Sequence, residues 1–222
     1  VFPLLSRADA SSFGDTLRRG LRLSLYIAAP ASVGLVLVRE DCVRVMYGHG
    51  FSEEGLARSS TVLLCYAIAI WAYSMNQVLT RAFYARDDTT TPMRIAMGMV
   101  AFNLCCNLAL IWVLREAGLA LSTALSAILQ FVVLAFVLHR RLGPEGGSVG
   151  LAGPIGRIVG CTAIMGGAVA AVSFLPIDGT TFVASAGRLV LATGLGGAVY
   201  ALASWGLGVP ELRWLLGRRT GA

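Results

Sequence analysis

The sequence predicts an all-α fold: a polytopic membrane helix bundle of about six transmembrane helices. Three observations predict it. Hydrophobic residues make up 56% of the chain and charged residues 14%, where soluble domains carry about 25% charged. Mean hydropathy is +0.74. Most tellingly, six runs contain no Asp, Glu, Lys, Arg or His: 23–38, 59–80, 95–114, 117–138, 158–175 and 189–209. About 20 such residues cross the ~30 Å hydrocarbon core as a helix. Five runs reach or approach that length; the first has 16 residues and is interrupted by Pro30.

Charge sets an orientation. All 18 basic residues are arginines. Taking alternate loops, 13 fall on one side, in the segments around Arg7–Arg22, Arg81–Arg94, Arg140–Arg157 and Arg213–Arg219, and 5 on the other: Arg39, Arg44, Arg58, Arg115 and Arg188. The positive-inside rule places the richer side in the cytoplasm. Both ends of the chain are then cytoplasmic. The net charge of +6 suits anionic lipid headgroups and calls for no nucleic acid. The opening Val1-Phe-Pro-Leu-Leu-Ser-Arg7 reads as the tail of an earlier helix, so the chain is expected to be the C-terminal piece of a longer protein. Cys42, Cys65, Cys105, Cys106 and Cys161 form no CxxC or metal spacing. Four lie in apolar runs, as small packing residues do.

In chain order, residues 8–20 read as a connector from which Arg18 and Arg22 snorkel as the first helix enters the membrane. Pro30, with Gly34 one turn on, predicts a kink. Val43–Tyr47 continues that helix at the interface. The outer loop carries Gly48-His-Gly-Phe-Ser-Glu-Glu-Gly55; Ser52 is placed to cap a helix with Glu53 and Glu54 in its first turn, and His49 reads as solvated. The most punctuated stretch is Arg81-Ala-Phe-Tyr-Ala-Arg-Asp-Asp-Thr-Thr-Thr-Pro-Met-Arg94. It reads as a tight turn in which Thr91 caps a helix beginning at Pro92, with Asp87 and Asp88 near the positive helix start.

Asn103 and Asn107 share one helix face, and Ser122, Ser126 and Gln130 form a stripe after a short turn near Gly118. Small residues at four-residue spacing allow close helix contact. Residues 142–157 read as a Gly/Pro-rich cytoplasmic linker. Beyond it, 158–222 holds two Gly-rich helices and a tail. An intramembrane enzyme would need an acid, base or nucleophile at depth. None of the six runs contains Asp, Glu or His, so no catalytic residue is assigned.

Residues 1–141 resemble one family, the MviN/MurJ flippases of the MOP exporter superfamily, which move lipid II across the bacterial inner membrane. Pro3–Arg7 looks like the end of the family's eighth helix. Leu25–Leu37, with Pro30-Ala-Ser-Val-Gly34, looks like its ninth. Tyr47–Phe51 is similar to its G-x-F loop. Arg81, Phe83, Tyr84, Asp88, Thr91 and Pro92, followed by Asn103, Asn107 and Gly118–Ser126, resemble helices ten to twelve. Residues 154–209 resemble the family's two extra C-terminal helices only as a pair. The resemblance implies a fourteen-helix transporter with two six-helix lobes. The arginines that engage the lipid's pyrophosphate would lie upstream of Val1. It further implies lipid II as substrate, membrane lipids and cell wall synthesis proteins as partners, and the bacterial cytoplasmic membrane as location. Alternatives are an exporter of another polyprenyl-linked oligosaccharide and a non-catalytic structural membrane partner.

Two sites follow from the resemblance together with the residues. Counted from the turn at Arg115-Glu116, Asn107 and Thr123 lie at matching depth, about 11–12 Å in at 1.5 Å per residue. With Asn103 and the Leu119 carbonyl they offer hard oxygen ligands. Some family members have a sodium site here, with an acidic residue where this chain has Asn107; the competing reading is an interhelical hydrogen-bond pair. The second site is a groove for the polyprenyl tail, lined by Gly166, Gly167, Gly194, Gly196 and Gly197; plain helix packing is its alternative. No cofactor beyond sodium is expected.

Overall fold

The protein is described from a computed structural model, which covers residues 10–48, 50, 52–146, 152–173 and 182–215. Pro3–Arg7, His49, Phe51, residues 174–181 and the chain's tail lie outside the described residues, as does the centre of the expected linker. Among the described residues seven helices follow in order: α1 Ala10–Tyr47, α2 Glu53–Tyr84, α3 Thr90–Leu114, α4 Glu116–Gly146, α5 Ala152–Ser173, α6 Phe182–Gly206 and the short α7 Pro210–Leu215. Six are long and apolar enough to cross a membrane.

The first span differs most from expectation. Helix α1 is one continuous helix of 38 residues that takes in the expected connector and runs through Pro30. Its start is helical because Phe13 and Leu17, one turn apart, are buried against Leu79, Phe83, Leu134 and Leu138; tertiary burial outweighs the polar composition of that turn. Pro30 has no N–H for the carbonyl of Tyr26, four residues back. The Tyr200 hydroxyl, from α6, donates to that carbonyl at 2.7 Å instead. A neighbouring helix thus supplies the bond that proline removes.

The turns obey local chemistry. Ser52 caps α2 as expected, its Oγ accepting from the Gly55 N–H at 3.2 Å. Helices α3 and α4 meet at a single residue, Arg115, held at φ 52°. Gly118 is required there: a Cβ would sit 2.6 Å from the Leu110 carbonyl oxygen. The stretch read as a linker is partly helical, since α4 extends to Gly146 and α5 begins at Ala152.

In space the helices run α3–α4–α2–α1, with the α5/α6 pair packed on the far side of α1. The α2–α4 seam is closed by Ala69, Ala72, Ala124 and Ala127, with Trp71 edge-on to Phe131 at its rim. Small residues do bring the helices together: besides these alanines, Ser122 and Ser126 of the expected stripe are buried. Helix α3 buries only Pro92; Met97, Val100, Leu104, Leu108 and Trp112 are exposed, a face suited to hydrocarbon or to further helices.

Candidate functional site

The four residues expected to share a site do converge. Asn107 Nδ2 donates to Asn103 Oδ1 at 3.0 Å, and Asn103 Nδ2 reaches Thr123 Oγ1 at 3.4 Å. The Thr123 hydroxyl donates to the Leu119 carbonyl at 2.9 Å. Ser122, which sequence reasoning placed only in a packing stripe, belongs here too. Its hydroxyl lies between Asn107 Oδ1 and the Leu119 carbonyl, 2.9 Å from the latter. The network continues to α2, where Tyr73 Oη reaches the Thr123 carbonyl at 3.4 Å and Asn76 Nδ2 donates to the Ala127 carbonyl at 2.9 Å. The result is a ladder of neutral oxygens and amides across three helices. No group of three or more His, Cys, Asp or Glu able to hold a metal occurs among the described residues. The oxygens that these described residues bring together are all uncharged.

The loop 81–94 is organised by Asp88, not Thr91. Helix α3 begins at Thr90, and Thr89 in the cap position makes no side-chain cap bond. Asp88 Oδ1 accepts from the Thr91 N–H at 3.0 Å and the Thr90 hydroxyl at 3.1 Å. A carboxylate facing the exposed N–H groups of a helix start is favoured over a hydroxyl by the helix dipole. The expected capping by Thr91 is therefore corrected. Pro92 still sits in the first turn, where its missing N–H costs nothing. Arg141, from the end of α4, pairs with Asp88 Oδ2 and donates to Thr91 Oγ1 at 2.9 Å. The Thr91 N–H first, then the neighbouring hydroxyls and Arg141, hold the Asp88 carboxyl well below its ordinary range. Phe83 is buried, whereas Arg81 and Tyr84 are exposed.

The five glycines separate. Gly196 and Gly197 line a cavity of about 430 Å³, together with Pro30, Gly34, Met165 and Val169. Its walls are α1, α5 and α6, so α1 forms a wall that sequence reasoning did not include. Gly166 instead packs on α1: a Cβ there would lie 3.2 Å from Val33 Cγ1. Gly196 approaches α5 closely, with Val169 Cγ2 2.8 Å from a built Cβ. Gly167 and Gly194 face open space.

The attachment of the C-terminal pair to α1 was not legible in the sequence. Arg22 pairs with the fully buried Glu211, and both Arg19 and Arg22 lie over the Trp214 ring, at 5.7 and 5.4 Å. At the other end, Asp41 takes both Nε and Nη2 of Arg188, at 3.1 and 2.9 Å. Between them the Tyr26 and Tyr200 rings meet at a tilt of 41°, with centroids 5.1 Å apart.

Six apolar spans, one of them bridged past a proline by a neighbour's hydroxyl, and a polar ladder inside the bundle define a polytopic helical membrane protein. Comparison with known proteins narrows this. Residues 1–184 match the family described as Lipid II flippase MurJ, and the chain belongs to that family. It is 31% identical over 195 residues to the "Probable lipid II flippase MurJ" of Rhizobium tropici, covering 86% of this chain and 36% of that protein. It is 29% identical over 144 residues to the protein of the same description from Vibrio cholerae, covering 63% of this chain and 27% of that one. The "Lipid II flippase MurJ" of Burkholderia cenocepacia is 27% identical, over 64% of this chain and 28% of its own length. The chain thus spans about a third or less of the curated relatives it matches. Among solved structures, "Lipid II flippase MurJ, inward closed conformation" is similar with a TM-score of 0.73 at 18% identity, over 98% of this chain and 45% of that one; this likeness shows the fold.

Proposed function

We propose that the chain is the C-terminal portion of a flippase that moves lipid II from the inner to the outer leaflet of the bacterial cytoplasmic membrane by alternating access, in cell wall biogenesis. The observation that carries this is the family match across residues 1–184. On this reading the protein is a transporter without a catalytic residue, and the arginine-rich ends of its helices face the cytoplasm. The pyrophosphate-binding groups belong to the rest of the longer protein. The Asn103–Asn107–Thr123 ladder, with the Leu119 carbonyl and Ser122, is the place for a weakly held sodium ion. Its oxygens are hard and clustered, which suits an alkali cation, and the missing charge would come from a carboxylate outside this chain. The cavity lined by Gly196 and Gly197 is the place for the polyprenyl tail, since its lining is apolar and α1 closes it opposite the glycines.

The test is rescue of growth by the full-length gene in cells depleted of their own lipid II flippase. Rescue is expected. Failure of a membrane-inserted, full-length protein to rescue, with lipid II accumulating inside, rejects the reading. A single cysteine placed at Asp88, in a Cys-free background, is expected to resist an impermeant thiol reagent from outside, while one at Gly55 labels.

A further inference from the structure

Helices α2 and α3 leave opposite kinds of face uncovered. The open face of α3 is apolar, with Met97, Val100, Leu104 and Trp112 exposed. The open face of α2 is aromatic and polar: Tyr66, Tyr73, Gln77 and Tyr84 are all exposed. Counted from Tyr66, the other three follow after 7, 11 and 18 residues. Those are about two, three and five helical turns, so the four form one line down the helix. The buried side of α2 is mainly apolar and small, with Ala67, Ala69, Ala72 and Leu79. A span that faces lipid carries the reverse pattern, because polar side chains at depth turn to the bundle interior or to water. Tyr66 and Tyr73 each lie 7 residues inside an end of the uncharged run 59–80, about 10 Å deep at 1.5 Å per residue. That is below the aromatic belt of a membrane surface. The outer part of the line opens into a cavity of about 590 Å³, with Met46, Tyr47, Val62 and Tyr66 in its wall. Further in, Tyr73 Oη reaches the Thr123 carbonyl at 3.4 Å, which joins the line to the neutral ladder.

We propose that this face of α2 lines a water-filled passage and contacts the sugar rings of the transported lipid, with Tyr66 and Tyr73 as stacking surfaces and Gln77 as a hydrogen-bonding partner. The proposal rests on the flippase reading for its substrate. Charge complementarity selects the sugar over the rest of that lipid. Between Arg58 and Arg81, α2 carries no charged residue, and Arg58 is paired with Glu116 at 2.9 Å. A pyrophosphate therefore finds no cation along the line. A polyprenyl tail would leave the phenol hydroxyls and the amide without partners. A sugar ring offers hydroxyls to those groups and apolar C–H faces to the tyrosine rings. The opposite wall of the passage belongs to the rest of the longer protein.

The experiment uses the full-length protein without native cysteines and a water-soluble, membrane-impermeant thiol reagent, applied to spheroplasts and to inverted vesicles. Ile70→Cys, between the two tyrosines on the same face, should label in at least one of the two preparations. Leu104→Cys, on the open face of α3, should label in neither. Excess lipid II should protect Ile70→Cys, and a polyprenyl pyrophosphate without sugars should not. Tyr73→Ala should raise the lipid II concentration needed for protection about five-fold, the size of one stacked-ring contact. Tyr73→Phe keeps the ring and should keep most of the protection. Thermal unfolding of each variant confirms a folded protein. An unlabelled Ile70→Cys in both preparations overturns the proposal, since an upstream helix or lipid would then cover the face. Equal protection by the sugar-free lipid, or a Tyr73→Ala protein protected like wild type, overturns it too. Failed growth rescue rejects the flippase reading separately, because labelling and protection are read without transport.

Discussion

Helix α4 holds α3 by neutral groups, while α1 holds the C-terminal pair by charge. The α3–α4 contact uses Asn103, Asn107, Ser122 and Thr123, partners only 15 to 20 residues apart in sequence. The α1 contact uses Arg22–Glu211 and Asp41–Arg188, 189 and 147 residues apart, with the Tyr200–Tyr26 bond between them. Neutral hydrogen bonds inside a bilayer contribute about 0.6 kcal/mol each, because the separated groups find other partners. A buried charge that loses its partner has no such recourse. The ladder is therefore the adaptable seam, and α1 with the C-terminal pair is the rigid one. A transporter that changes shape would rearrange the first and carry the second as a unit.

The strongest way to break this comparison is Arg22→Ala. It leaves Glu211 fully buried without its cation, and about 3–5 kcal/mol of stability should be lost. Arg188→Ala should cost less, since both members of that pair are partly exposed. Thermal unfolding in detergent measures both; a smaller loss for Arg22→Ala than for Arg188→Ala would reverse the ranking and remove the case for a rigid seam. Next comes Tyr200→Phe. The Tyr26 carbonyl then loses its donor beside Pro30, at about 1–3 kcal/mol for a buried acceptor left unsatisfied. A Pro30→Ala background restores the helical N–H, so the same substitution should be much milder there. Equal effects in both backgrounds would show that the hydroxyl does not serve the proline gap. Gly196→Val belongs at a similar level: its Cβ meets Val169 at 2.8 Å, and overpacking costs about 1–3 kcal/mol. Gly167→Val, in open space, should be near neutral.

These differences follow what a sequence can and cannot display. Six spans were legible because hydrocarbon thickness imposes a length on uncharged runs. The Asn103–Asn107 face and its depth match with Thr123 were legible because helix geometry and a one-residue turn fix them locally. Thr91 looked like the cap because hydroxyl residues before a proline usually are; the competing choice, Asp88, won through charge at the helix start and an arginine 53 residues away. Pro30 announced a defect, but nothing local named Tyr200 as the remedy. Glu211 sits in a polar tail by composition and is fully buried in fact. No periodicity reports a partner 189 residues distant. The glycines announced close approach without saying which of them approach.

A smaller effect sharpens the adaptable seam. Asn107→Ala removes the acceptor beside Ser122 and the donor to Asn103, and about 0.6 kcal/mol per lost bond is expected. If sodium binds there, wild type should also gain thermal stability with sodium at constant ionic strength, and the variant should not. Identical sodium responses would leave the ladder as hydrogen bonding alone.

The smallest effect concerns the ion pair on the ladder's side of the molecule, Asp88 with Arg141. It is half-exposed at the arginine, so breaking it should do less than breaking Arg22–Glu211 and should show itself mainly as pH dependence. The folded protein holds the Asp88 carboxyl below its ordinary value of 3.8, through the Thr91 N–H first and the hydroxyls and Arg141 after it. A lowered folded value means that the unfolded chain binds the proton more readily. The contribution is therefore complete above about pH 4, the unfolded value, and is lost as pH falls from there through the folded value. Between pH 6 and 8 it should be constant. Asp88→Asn keeps an acceptor for the helix start but cannot titrate, so its thermal midpoint should fall less than that of wild type between pH 5 and pH 3. Parallel midpoints for the two proteins across that window would mean that Asp88 holds the loop by shape, with its charge contributing nothing.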